Sequence, residues 1–177
     1  MRIYLYKSFL EKKPENSYQN IFFLKNFNYI ALLLDNFSLN PKDKTSQIRK
    51  LKEELKLKAK ELSQKNFLKL LIKDNINIER ITFQNSIDDC DKEVIKTYLS
   101  KKQYQEIVNE IKNDEDYYLI NSIEIFLNEF NMHIILEKNL EMNIISKSFK
   151  KYTSEELLNL FSDTVQISEI LKTVEGD

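Results

Sequence analysis

The chain has 177 residues, a formal net charge of −1 and 42% hydrophobic residues, and this length and composition predict a single domain over residues 1–177. Its only glycine is Gly176, which excludes phosphate-binding loops, dinucleotide-binding turns, nucleophile elbows and calcium loops, because each needs internal glycines. The single cysteine cannot form an internal disulfide, and the longest near-apolar run, residues 29–34, is far too short to span a bilayer. We therefore predict a cytoplasmic protein.

The amino-acid composition indicates the base composition of the coding genome. Lys, Asn and Ile are abundant, whereas Ala, Pro, Arg and Trp are scarce. This pattern is typical of an AT-rich genome and suggests a bacterium or its phage. The same bias accounts for part of the missing glycine, although it would not remove a glycine that a reaction requires.

The first half of the chain is predicted to contain strands, one long helix and a hairpin. Three short apolar runs bounded by polar segments predict strands at residues 2–6, 21–24 and 29–34. Apolar residues then recur at helical spacing and predict one helix over residues 45–65, with a stripe formed by Ile48, Leu51, Leu55, Ala59 and Leu62. Residues 67–72 and 76–83 flank a turn-prone Lys-Asp-Asn triplet and predict a hairpin.

The second half is predicted to be mainly helical. Capping or acidic first turns predict helices that begin near Ser86, Ser100 and Asp114, and Thr153 with Glu156 predicts another. Alternating residues predict a second hairpin from residues 132–137 and 140–146, whereas residues 165–174 have no decisive pattern. The predicted fold class is α+β: a single mixed domain with two or three β-hairpins or short strands and about five helices.

The predicted helix over residues 45–65 carries a row of basic side chains. Residues 1–73 hold a net charge of +9 and residues 74–177 a net charge of −10. Within the basic half, a row on one helix face is a candidate nucleic-acid-binding surface, formed by Arg49, Lys52, Lys56 and Lys60. The structural alternative is a solvated helix face, since glutamates interrupt the row and no exposed aromatic residue is available to stack a base.

Two groups of carboxylates are candidate metal ligands. Asp88, Asp89, Asp91 and Glu93 cluster in the first turn of a predicted helix, where acidic side chains favour the helix dipole. Asp35 follows a buried strand, where a metal site would need partners such as Glu79 or Asp74, and where a turn-forming role is the alternative. We assign no metal ligand from these patterns.

Nucleophilic and histidine chemistry has little support in the sequence. The only histidine, His133, lies on a predicted strand, and a single histidine cannot build a multi-histidine zinc site. The only cysteine, Cys90, lies among aspartates that would raise the pKa of its thiol. We predict no catalytic residue and no cofactor, which favours a role other than catalysis.

The function class that remains is a protein-interaction module. An acidic segment that bears tyrosines is the candidate protein-binding surface, formed by Asp114, Glu115, Asp116, Tyr117 and Tyr118. We interpret the chain as an inhibitor, immunity-type protein or adaptor that binds a basic or nucleic-acid-processing protein. The alternative is a nucleic-acid-binding protein that uses the helix over residues 45–65, with metal-dependent nuclease activity through Asp35.

Overall fold

A computed structural model describes most of the chain. The described residues are 2–9, 21–24, 28–33, 41–85, 94–96, 102–103, 105–106, 108–109, 118–145, 153, 156 and 164–176. They include nine strands: β1 (Arg2–Ser8), β2 (Ile21–Leu24), β3 (Tyr29–Leu33), β4 (Leu57–Ala59), β5 (Asn77–Asn85), β6 (Val94–Lys96), β7 (Tyr118–Leu127), β8 (Met132–Glu137) and β9 (Glu141–Ile145). Three helices are described in full: α1 (Pro41–Glu54), α2 (Gln64–Leu71) and α3 (Val165–Glu175).

The strands form one antiparallel sheet in which the first strand occupies a central position. The strand order is β2-β3-β1-β9-β8-β7-β5-β6, and β4 pairs with β1 outside this path. Strand β1 therefore lies between β3 and β9, with Tyr4 opposite Leu32 on one side and Glu141 on the other. The fold class is α+β, because the helices pack on an antiparallel sheet instead of connecting parallel strands.

The sheet has a core face that α2 and α3 cover. Alternate residues of each strand point to this face, as in β8, where Met132, Ile134 and Leu136 are buried and the residues between them are half-buried. The core also contains apolar residues of the two helices: Phe67, Leu70, Leu71, Ile167, Ile170, Leu171 and Val174. Burial of these side chains is the main stabilising contribution to the fold.

A second, smaller core lies on the other face of the sheet, beside α1. Leu55 packs there with Tyr6, Ile21, Ile30 and Leu32. Strand β3 is consequently buried on both faces, and every one of its residues is inaccessible to solvent. This explains why β3 is a continuous apolar run and not an alternating one.

A capping box begins α2 and connects it to α3. The Ser63 amide donates to Asn66 Oδ1 at 2.8 Å, and the Asn66 amide donates back to Ser63 Oγ at 3.1 Å. Asn66 is buried and its Nδ2 donates to the Thr173 carbonyl at 3.0 Å. One side chain thus satisfies polar groups at the start of α2 and in the last turn of α3.

The predicted helix over residues 45–65 is wrong in its extent. Helix α1 ends at Glu54, Lys56 has a positive φ of 47°, and residues 57–59 form β4. The helical spacing of Leu55 and Leu62 misled the prediction, because these two residues belong to different cores. The chain has to turn between them in order to bury both.

Three further helix and strand predictions are wrong. Residues 67–72 are not a strand, because the cap at Ser63 begins α2 there. Residues 94–96 form β6 instead of continuing the helix predicted from Ser86, and the helix predicted from Asp114 is replaced by β7. The count of about five helices is therefore not matched.

Other predictions are confirmed. The strands near residues 2–6, 21–24 and 29–34 and the hairpin of β8 and β9 are present. Thr153 and Glu156 form the expected cap, with the Thr153 amide donating to the Glu156 carboxylate at 2.7 Å. Residues 102–103, 105–106 and 108–109 are helical, as predicted after Ser100. No helix among the described residues is long and apolar enough to cross a membrane.

Candidate functional site

The side of the sheet that faces away from α2 and α3 carries polar and charged residues, and we call it the polar face. It is built by the residues that alternate with the core positions of β5, β7, β8 and β9. Its members are Arg80, Thr82, Ser122, Glu124, Phe126, His133, Ile135, Glu137, Glu141, Asn143 and Ile145. Most of these residues are half-buried.

A β-bulge adds Glu79 to the polar face. Ile78 pairs with Ile125, but the next pair is Arg80 with Glu124, so Glu79 has no residue opposite it on β7. A bulge places two successive residues against one residue of the partner strand and changes the direction of their side chains. Glu79 therefore reaches His133, which lies on β8, two strands away from β5 in the sheet.

Four side chains meet on the polar face, and we call them the His133 cluster: Glu79, Arg80, Glu124 and His133. His133 Nδ1 lies 2.8 Å from Glu79 Oε2 and 3.5 Å from Glu124 Oε1. The other oxygen of Glu124, Oε2, lies 3.2 Å from Arg80 Nε. The Phe126 ring packs against the His133 ring with 4.9 Å between their centroids.

Hydrogen bonding in the His133 cluster is incomplete. His133 Nδ1 and Glu124 Oε2 are both inaccessible to solvent, and in the described part of the chain each has a charged neighbour within ion-pair distance but no hydrogen bond. Glu79 is close to Nδ1, but its carboxylate does not lie along the direction of an Nδ1–H bond. Buried polar atoms normally have such a partner, and exceptions call for an explanation.

A second feature, the acidic groove, lies beside the turn between β8 and β9. Its lining residues are Glu61, Asn121, Glu137, Lys138, Asn139, Glu141 and Asn143. Three carboxylates face one ammonium group there, and Lys138 Nζ is 3.8 Å from Glu61 Oε2. The groove is therefore open, polar and negatively charged.

Tyr4 borders the acidic groove through Glu141. Burial, together with a hydrogen bond from the Tyr4 hydroxyl to the Glu141 carboxylate, raises the pKa of Tyr4 from 10.0 to about 12. The proton is therefore held more tightly in the folded chain than in the unfolded chain.

The raised pKa of Tyr4 predicts a loss of stability in alkali. The contribution of Tyr4 is fully present below pH 10.0 and is lost as the pH rises through about 12, because only the unfolded state releases the proton in that interval. In a Tyr4→Phe variant, the free energy of unfolding should fall less steeply over this interval, as measured by urea denaturation. Tyr29, whose pKa burial also raises, is unchanged in both proteins. Equal slopes would contradict the assignment.

The predicted basic row is not a single helix face. Arg49 lies on α1 and pairs with Glu53 at 3.2 Å, and Lys52 Nζ lies 4.6 Å from the centre of the Tyr6 ring. Lys56 is in the turn after α1 and Lys60 follows β4. These positions remove the helical row that motivated the nucleic-acid interpretation, although nucleic-acid binding itself stays a prediction.

The predicted acidic surface is largely outside the described residues. Asp114, Glu115, Asp116 and Tyr117 lie outside them, and Tyr118 is the first residue of β7. Asp35, Cys90 and the aspartates from Asp88 to Asp91, with Glu93, also lie outside them.

The sequence analysis did not bring Arg80 and Glu124 together with His133, and it named Glu79 only as a partner of Asp35. The helix predicted over residues 114–130 concealed Glu124, although Ser122, Glu124 and Phe126 alternate with isoleucines. That alternation was the available signal, and it is typical of a half-buried strand. The bulge at Glu79 also has a signal, because two polar residues separate Ile78 from Ile81 where strict alternation would place one.

The fold and the site define an α+β protein whose antiparallel sheet has an apolar face under α2 and α3, and an opposite face that is divided between the smaller core beside α1 and the polar residues of β5, β7, β8 and β9. Comparison with known proteins adds no relative. No protein-family model, curated protein or solved structure matches the chain.

Proposed function

We propose that the chain is a small cytoplasmic protein-interaction module, of the inhibitor, immunity or adaptor type, that binds a basic protein. The observation that supports this function is the acidic groove, where Glu61, Glu137 and Glu141 surround Lys138. Tyr4, hydrogen-bonded to Glu141, adds an aromatic side chain of the kind that is enriched at protein interfaces. The binding surface is thus moved from the predicted residues 114–118 to the groove.

Charge complementarity supports a basic partner. An excess of carboxylates on a polar surface attracts lysine and arginine side chains, accelerates the encounter and disfavours acidic proteins. The asparagines Asn121, Asn139 and Asn143 offer amide oxygens and N–H groups at the same place. An arginine or lysine of the partner protein that enters the groove could donate hydrogen bonds to the glutamate carboxylates and to the asparagine amide oxygens.

The nucleic-acid alternative is less well supported. An acidic groove repels phosphates, and the four basic residues once assigned to one helix are divided between α1, a turn and the segment after β4. A nucleic-acid-processing enzyme remains a suitable protein partner, because its own substrate-binding groove is basic.

Charge reversal in the groove tests the proposal. The chain is used to capture proteins from a lysate of the source organism, and a captured partner is purified and titrated against three forms of the chain. A Glu137→Lys/Glu141→Lys variant should bind at least about 100-fold more weakly, because two attractive charges become repulsive. A Glu53→Lys/Glu54→Lys variant, changed at the exposed end of α1, is the control and should bind like the unmodified chain.

The salt dependence of binding provides a second criterion. Affinity for the unmodified chain should fall as salt is raised, because salt screens exposed charges. A partner that binds both double variants equally, or one whose contact surface is not basic, would contradict the proposal.

A further inference from the structure

We propose that Glu79, Glu124 and His133 bind one divalent transition-metal ion, with Zn²⁺ as the best fit. Each of the three residues offers one ligand atom, and these atoms all lie within 4.8 Å of one another. The donor set consists of one imidazole nitrogen and two carboxylate oxygens. This inference does not depend on the proposed protein partner.

The distances are close to those of a metal site. Zn²⁺ binds nitrogen and oxygen ligands at about 2.0–2.2 Å, so two ligands of a tetrahedral ion are separated by about 3.3 Å. His133 Nδ1 is 2.8 Å from Glu79 Oε2 and 3.5 Å from Glu124 Oε1, on either side of that separation. Small side-chain rotations would suffice to bring the three atoms around one ion.

The unsatisfied nitrogen of His133 favours a metal over a simple ion pair. In an ion pair, Nδ1–H would point at the carboxylate, but His133 Nδ1 has no hydrogen-bond partner in the described part of the chain. No hydrogen bond to Glu79 therefore competes with a metal ion for the lone pair of His133 Nδ1. The two carboxylates carry two negative charges toward a divalent cation, and Arg80 balances one of them.

Neighbouring residues hold the ligands as supporting residues do in metal sites. Arg80 contacts Glu124 through Oε2 and leaves Oε1 directed at His133. Phe126 packs against the imidazole ring, and the bulge places Glu79. Such supporting contacts fix the orientation of ligands and strengthen metal binding.

The donor set also selects the class of metal. Imidazole and carboxylate ligands suit Zn²⁺ and related first-row ions, whereas Mg²⁺ and Ca²⁺ prefer oxygen ligands alone. Three protein ligands leave a coordination position for water. We assign no reaction to this position.

Zinc titration of the full chain tests the site. Isothermal titration calorimetry should show one Zn²⁺ bound per chain, and Mg²⁺ should give no comparable binding. Affinity for Zn²⁺ should fall by at least about 100-fold in His133→Gln and by at least about 10-fold in Glu79→Gln, because each variant removes a ligand. Affinity should also fall as the pH is lowered, since protons compete for the histidine.

Two controls make the result specific. Glu137→Gln changes another carboxylate of the polar face, and Cys90→Ser removes the only thiol of the chain; both should bind Zn²⁺ normally. Urea denaturation without metal checks that each variant is folded. If the unmodified chain fails to bind one Zn²⁺, or if His133→Gln and Glu79→Gln bind it as tightly, the proposal is overturned. Failure of this test leaves the acidic groove unaffected, because Glu137 and Glu141 are not ligands.

Discussion

An Ile144→Ala variant should lower the free energy of unfolding by about 2–5 kcal/mol, as expected when a large aliphatic side chain is removed from a packed core. Ile144 is only 5% exposed and belongs to the core under α2 and α3. It pairs with Ile134 on β8, which is fully buried. The truncation leaves a cavity between the sheet and the helices, and urea denaturation measures its cost.

The neighbouring isoleucine is the control for this prediction. Ile145 has the same side chain in the same strand, but it points to the polar face and is 48% exposed. Ile145→Ala should cost less than about 1 kcal/mol, which is the range of strand propensities. If the two variants were equally destabilised, the assignment of the two faces of β9 would be wrong.

An Asn66→Ala variant should destabilise the chain by about 2–3 kcal/mol, because one change removes the Asn66 side of the capping box and a buried hydrogen bond to Thr173. Asn66 Oδ1 accepts from the Ser63 amide at 2.8 Å, and Nδ2 donates to the Thr173 carbonyl at 3.0 Å. The Thr173 carbonyl lies in the last turn of α3, where the helix itself does not satisfy all carbonyls. Removing the amide therefore affects both helices.

A Ser63→Ala variant separates the two contributions. It removes the hydroxyl that accepts from the Asn66 amide at 3.1 Å but keeps the link to Thr173. This change should cost about 1 kcal/mol, the usual value for an N-cap. If Asn66→Ala costs no more than Ser63→Ala in the same denaturation experiment, the connection between α2 and α3 does not contribute to stability.

Some elements of the fold could be predicted because local pattern and tertiary structure agree. The hairpin of β8 and β9 alternates clearly, and each buried residue of β8 lies on the core face. In β7 the local sequence pattern and the tertiary structure conflict. Leu119, Ile123, Phe126 and Leu127 recur at helical spacing, but pairing with β5 and β8 makes this segment a strand. Such tertiary pairing overrides local preference.

The candidate sites were less predictable than the fold. The His133 cluster joins β5, β7 and β8 at a bulge in β5, and the local sequence does not specify which strands become neighbours in the sheet. The acidic groove joins Glu61, from the segment between β4 and α2, to the turn after β8. The two segments meet where the Leu62 amide donates a hydrogen bond to the Lys138 carbonyl at 2.7 Å. The groove can be predicted only if this contact is known.

The central position of β1 determines when the sheet can be completed during synthesis. Arg2 pairs with Asn143 and Tyr4 with Glu141, whereas the second half of the same edge pairs with β4. The first half of that edge therefore finds its partner only after residues 141–143 have left the ribosome. Closing so long a segment is entropically costly and slows folding. Throughout that interval the unpaired edge of β1 is open to pairing with a strand of another molecule. A newly made chain is therefore at greatest risk of aggregation before its ninth strand has been synthesised.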